Sequence, residues 1–264
     1  MRSNISVNTG DPMRTTIFAI ALFSIALLAP LSSASYTVTN LNVTVNLNAN
    51  TSARVTELLT VYISNVSLGQ YSSDRLALNL TLSEWESLIG PLLVQHILNT
   101  KSGVYDFKLL PSSVTRYGSG GVAYILMSYS VLNVTSVNQT GPREFSYSFN
   151  PEVFNFEHGI SGEVLTQNTT LNIVPPPGFA VTSVYPVPDS PSSGFTDNYA
   201  NATELSWSQQ EPLSKFVLDY TINESLQAEV TNFFASIYDA LGIFTYVLIA
   251  LAIAFFVLYT YFRS

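Results

Sequence analysis

The stretch Asn40–Asn48, NLNVTVNLN, decides the fold class. Leu41, Val43, Val45 and Leu47 fall on one side of an extended chain; Asn40, Asn42, Thr44, Asn46 and Asn48 fall on the other. On a helix the same four apolar residues would divide between two sides, so this is a half-buried β-strand. Asn50-Thr51-Ser52 carries turn chemistry. Beyond it Val55, Leu59, Val61 and Ile63 alternate with Arg54, Thr56, Thr60 and Tyr62, which predicts the return strand of a hairpin with one buried face. Glu57 sits among the apolar positions of that strand. A rim position or a bulge would accommodate it, with a buried functional carboxylate as the alternative.

Downstream, an extended segment over Leu76–Leu82 is expected to lead into one helix over 83–98. Ser83 and Glu86 have capping-box spacing, and Trp85, Leu88, Ile89, Leu92 and Leu93 follow at helical intervals. Pro91 should kink it or divide it in two. His96 reads as a helix-end or surface residue. Strands are expected at Tyr105–Leu109, Val122–Leu132 and Phe145–Phe149. The glycine-rich run Arg116–Gly121 is not followed by a helix opening on Lys-Ser/Thr, so it is not a phosphate loop. From Glu163 the pattern is β throughout, around Leu171 and Ile173, Val181–Tyr185, Leu205 and Trp207, and Phe216–Ile222, with a proline-rich corner at Pro175–Gly178 and an exposed loop at Pro186–Gly194. The expected fold is mainly β: a β-sandwich-like ectodomain with one short kinked helix, divided into an N-terminal β-rich domain (35–160) and a C-terminal sandwich-like domain (161–222).

Residues 223–240 repeat apolar side chains at helical spacing (Leu226, Val230, Phe233, Phe234, Ile237) and read as a juxtamembrane helix. It is expected to run straight into Leu241–Phe262, LGIFTYVLIALAIAFFVLYTYF, 22 residues without charge or proline. At about 1.5 Å per residue such a helix reaches the roughly 30 Å of a hydrocarbon core, and its tyrosines lie near the ends, where interfacial aromatics belong. A transmembrane helix over 241–262 is therefore expected, with 263–264 as a cytoplasmic tail.

At the other end, residues 1–34 read as a signal peptide. Arg14 precedes the apolar run Ile17–Ala29, and Ser32-Ser33-Ala34 supplies small residues for cleavage after Ala34, with an uncleaved signal anchor as the alternative. Either way the segment between lies outside the cytoplasm. Asparagine glycosylation sequons begin at Asn42, Asn50, Asn65, Asn79, Asn133, Asn138, Asn168, Asn201 and Asn223.

Composition excludes several chemistries. There is no cysteine, hence no disulfide, thiolate site or cysteine nucleophile. Between Ser35 and Ala240 there are 17 acidic residues against 7 basic ones, a net −10, and no basic stripe, which argues against nucleic acid as a partner. The sequence carries no H-E-x-x-H, G-x-S-x-G, S-x-x-K or calcium-loop pattern, and its two histidines, His96 and His158, are far apart. Of the carboxylate pairs, Glu84 with Glu86 suits a helix N-terminus, and Asp189 with Asp197 lies in a loop that could ligate calcium. No catalytic, cofactor-binding or metal residues are expected, and no cofactor.

The layout of export signal, sequon-rich β ectodomain, C-terminal anchor and minimal basic tail resembles uncharacterised archaeal cell-surface proteins. The run Asn50-Thr51-Ser52-Ala53-Arg54-Val55-Thr56-Glu57 is similar to a turn and strand found in such proteins. A Pro-Gly-Phe sorting signal before the anchor, used by some of them, is absent; Pro177-Gly178-Phe179 lies far upstream. The resemblance brings no activity with it. The expected function is that of a non-enzymatic, single-pass surface glycoprotein in the cell membrane, displaying its ectodomain for adhesion, envelope organisation or partner binding. Its partners would be membrane lipid and other envelope or membrane proteins. An accessory ectodomain subunit of a transporter or secretion complex is the alternative. An enzyme built on acidic residues alone would need two carboxylates facing each other across a cleft.

Overall fold

The alternation that opens the chain is realised in β1 (Tyr36–Leu47) and β2 (Ala53–Ser64), which pair antiparallel from Leu41↔Leu59 to Leu47↔Ala53. The structure is a computed structural model; it describes residues 36–263 except 78–79, 161, 192–198, 200–201, 209–210 and 243, and part of the side chains in the C-terminal helices. The expected signal peptide (1–34), two sequons (Asn79, Asn201) and Asp197 lie outside the described residues. The hairpin turn closes through the Asn48 N–H to the Ser52 carbonyl at 2.9 Å, while Asn50 Oδ1 accepts the Ser52 hydroxyl at 2.7 Å. Leu41, Val43, Val45 and Leu47 are buried, as are Ala53, Val55, Leu59, Val61 and Ile63 opposite them.

Outward from this hairpin the first sheet runs β12-β10-β1-β2-β5-β3, with β4 also on β5. Here β3 is Val104–Pro111, β4 Thr115–Tyr117, β5 Gly120–Val131, β10 Thr169–Val174 and β12 Leu205–Ser208. All these pairs are antiparallel except β1 with β10, which run parallel from Leu41↔Thr169 to Asn46↔Val174. The glycine-rich run has a packing role. A Cβ at Gly120 would collide with the Ile63 carbonyl and the Tyr62 ring, so only glycine lets β5 start against the end of β2.

A second sheet has the order β11-β13-β7-β6, built from β6 (Thr135–Gln139), β7 (Glu144–Phe149), β11 (Phe179–Tyr185) and β13 (Val217–Asn223). A small hairpin, β8 (Glu157–Gly159) with β9 (Gly162–Val164), stands apart. Aromatic rings join the two sheets. Trp207 of β12 meets Phe216 with centroids 5.0 Å apart, and Phe216 meets Phe149 of β7 at 5.4 Å and Phe154 at 5.0 Å. Strand pairing crosses the expected boundary at 160/161: β10 lies beside β1, and β13 beside β7. Each sheet therefore draws on both proposed domains, because the later strands complete edges that the earlier ones leave open.

The single helix expected over 83–98 is corrected in both position and length. α1 (Leu68–Leu76) fills a stretch for which no element was expected, apart from Leu76 at the start of the expected extended segment, and α2 (Leu82–Ile89) starts from Thr81, not Ser83. Thr81 and Glu84 form the capping box, two residues upstream of the one read from the sequence. α2 ends at Gly90, whose φ of 119° no ordinary side chain adopts readily. Pro91 follows, and a residue before proline is driven out of helical geometry. The segment Pro91–Leu98 is irregular and runs against 153–155, through a bridge between Ile97 and Phe154. Tyr71 of α1 and Trp85 of α2 pack edge to face at 5.8 Å in the core.

At the C-terminal end α3 (Leu226–Leu241) stops at Gly242, which takes φ +57° and donates its N–H to the Tyr238 carbonyl at 2.6 Å. This is a left-handed cap, so the two helices do not merge as expected, and α4 begins only at Phe244 and runs to Arg263. Among the described residues no helix is long and apolar enough to cross a membrane. The span 241–262 thus remains a reading of the sequence.

Candidate functional site

Glu57 is neither at a rim nor in a bulge. It lies midway along β2, in unbroken register with Val43 of β1 and Met127 of β5, and is fully buried. Strand alternation places its side chain between Val55 and Leu59 on the core face. An isolated carboxylate there would cost several kcal/mol, and three donors converge on it instead. The backbone N–H of His96 donates to Glu57 Oε1 at 2.8 Å, the Tyr129 hydroxyl donates to the same oxygen, and His96 Nδ1 lies 2.7 Å from Oε2. Tyr129 Oη itself accepts the Ile97 N–H at 3.2 Å.

Proton placement follows from these partners. Tyr129 accepts from Ile97 and so directs its own proton to Glu57. An acceptor-only carboxylate then fixes the remaining hydrogen on His96 Nδ1. Burial, followed by the negative charge of Glu57, pushes the Tyr129 hydroxyl well above the ordinary phenol range. His96 is 3% exposed and is not the surface residue expected. With Nδ1 held by Glu57, Nε2 is the ring nitrogen available to its surroundings, and it has no hydrogen-bond partner among the described residues.

Those surroundings are a cavity of about 1090 Å³. Pro91, Leu92, Val94, Phe156, Val164 and Leu165 give it apolar walls, and Phe156 lies against the His96 ring with centroids 5.0 Å apart. Asn155, Glu157, His158, Thr166 and Gln167 supply polar groups. Several of these are already engaged: Asn155 Nδ2 donates to the Gln95 carbonyl at 2.8 Å, and the Thr166 and Thr169 hydroxyls are 2.7 Å apart. Next to the cavity, Glu163 stands 3.9 Å from the exposed His158. Burial raises the Glu163 carboxyl, and His158 together with the Phe156 N–H partly oppose that shift.

The chain matches no protein-family model and no curated protein. The site is therefore read from its own geometry. Its core is a histidine held by a buried carboxylate at the wall of a largely apolar cavity. Such an arrangement positions one hydrogen-bonding nitrogen. Among the described residues no serine lines the cavity, and no group of three or more metal-binding side chains occurs.

The residues singled out from sequence fall elsewhere. Asn50, Asn65, Asn133, Asn138, Asn168 and Asn223 are exposed, as acceptors must be. Asn42 is half-buried, and its side-chain oxygen accepts from Asn172 Nδ2 at 2.8 Å, so it is committed within the sheet. Glu84 belongs to the helix cap, and Thr81, through its N–H and hydroxyl, holds that carboxyl below the usual range. Asp189 accepts from the Ser208 N–H at 2.8 Å and from its hydroxyl at 2.7 Å, which ties down the loop on which a calcium site was considered. In the sequence, Glu57 stood out as a charge in an apolar row. Its partners, 39 and 72 residues further along the chain, carried no such mark.

Proposed function

We propose that this chain is a non-enzymatic, single-pass surface protein of the cell membrane, anchored by α4 and displaying its β-rich domain outside for binding a partner. One observation carries the reading. Phe244, Val247, Ile249, Leu251, Ile253 and Phe255 point to different sides of α4, and all are exposed. Exposed apolar side chains on opposite sides of one helix suit lipid and not water. The span itself rests on the sequence, where Leu241–Phe262 runs 22 residues without charge or proline, a length that as a helix would match a hydrocarbon core of roughly 30 Å. The acidic character of the intervening domain and its exposed sequons fit an extracytoplasmic side, and the weak likeness to archaeal surface proteins points the same way.

Protease added to intact cells, with any surface layer stripped, is expected to digest residues 36–240 and leave a short membrane-bound C-terminal fragment. Protection of the domain until the membrane is breached, with cleavage of a tag placed after Ser264, would reverse the orientation and remove the reading. The accessory-subunit alternative draws on Val230 and Tyr238, which remain exposed on α3. Purification in mild detergent would then yield a stoichiometric partner, and a clean monomer would count against it.

A further inference from the structure

We propose that the cavity beside His96 binds a neutral, largely apolar molecule bearing one hydroxyl group, whose proton is donated to His96 Nε2. The inference does not depend on the membrane anchor. It rests on a polar side chain that is almost wholly buried and has one ring nitrogen without a partner among the described residues, at the wall of a cavity the protein leaves open. Nε2 is not among the buried atoms left without a partner, so it is reached from the cavity, and a molecule lodged there can hydrogen-bond to it.

The chemistry of the ligand follows from the surroundings. Glu57 engages His96 at Nδ1, and an imidazole carrying its one hydrogen there presents Nε2 to the cavity as an acceptor, which calls for an O–H donor. Leu92, Val94, Phe156 and Leu165 call for an apolar body, and the Phe156 ring beside His96 offers a flat surface for it. A cavity of about 1090 Å³ has room for a molecule of ordinary cofactor or drug size. Anions are disfavoured, because Glu57 stands directly behind His96, Glu157 lines the cavity and Glu163 lies beside His158. A carboxylate entering here would meet like charge in surroundings that screen it poorly.

The test uses the full chain in lipid nanodiscs with ¹⁵N-labelled histidine. The chain has two histidines, and because His158 also lines the cavity the His96 resonance is identified by its persistence in His158→Gln. Three probes of matched shape are titrated at constant pH: 3-phenylpropan-1-ol, its methyl ether and 3-phenylpropanoate, with empty nanodiscs correcting for partition into lipid. The alcohol is expected to bind saturably and move the His96 Nε2 resonance. The ether, which lacks the donor, should bind roughly tenfold more weakly, and the carboxylate no better than the ether. His96→Phe should bind alcohol and ether alike, and Leu92→Trp, which narrows the cavity, should weaken both. Should His96→Phe fail to fold, the probe series on the natural chain together with Leu92→Trp decides. Equal affinity for alcohol and ether, tighter binding of the carboxylate, or a His96 resonance unmoved at saturating alcohol overturns the proposal.

Discussion

A carboxylate on the core face of a central strand needs donors more than it needs a counter-charge, and Glu57 finds three of them. Two are side-chain groups and one is the backbone N–H of His96, so the same carboxyl that holds the imidazole also fixes the irregular segment Pro91–Leu98 against the sheet. Glu57→Ala would leave all three donors buried and unpaired. The expected cost is about 3–5 kcal/mol, read from the midpoint of urea unfolding, and a loss under about 1 kcal/mol would mean that water or another group takes over. Tyr129→Phe removes one donor to Glu57 and the acceptor of the Ile97 N–H, and should cost about 1–3 kcal/mol in the same measurement. The sequence made Glu57 legible as an anomaly, since an alternating strand fixes which face each residue occupies. It left His96 and Tyr129 illegible, because Tyr129 reads as an ordinary apolar strand residue and His96 lies at the end of a stretch whose spacing reads as a helix that the chain does not form there.

Among the elements, the longer strands and the two C-terminal helices were legible to within a few residues, whereas the short strands β4, β6, β8 and β9 and the helices α1 and α2 were not. Strand alternation survives small errors of boundary, whereas a helix start depends on one cap, and T-x-x-E at Thr81 lay beside S-x-x-E at Ser83. α1 was hidden because Gly69, Ser72 and Ser73 are weak helix formers, and the helix relies on packing through Tyr71. The Thr81 cap can be tested directly. Thr81→Ala should destabilise the chain by about 1 kcal/mol at neutral pH. Because Thr81 lowers the Glu84 carboxyl in the folded state, its contribution is complete above the unfolded value of about 4.3 and is lost as pH falls through the lower folded value. The gap between variant and natural chain, followed by urea unfolding, should therefore narrow in acid. A gap that widens as pH falls would contradict this linkage.

At the scale of the whole molecule, sequence order misled where it divided the chain near residue 160. Local patterning reports which residues are strands but carries no record of which strand lies beside which, and here both sheets are closed by late arrivals. β10 supplies the parallel neighbour of β1, and β13 supplies an antiparallel neighbour of β7. The aromatic bridge has the same character: Phe149 and Phe154 precede the boundary, while Trp207 and Phe216 follow it. A fragment of residues 36–160 would expose the edge of β1 from Leu41 to Asn46, the edge of β7 and the rings that Phe216 covers. Unpaired edges of this kind are sites of aggregation, and the missing apolar burial removes stability the fragment cannot regain locally. That fragment, expressed alone, is expected to be insoluble or to show no cooperative thermal unfolding by circular dichroism. Co-expression with residues 161–225 should restore a soluble complex, since the two pieces contain every strand of both sheets. A fragment 36–160 that unfolds cooperatively by itself would show that the parallel pairing of β1 with β10 is dispensable, and would return the boundary to where the sequence placed it.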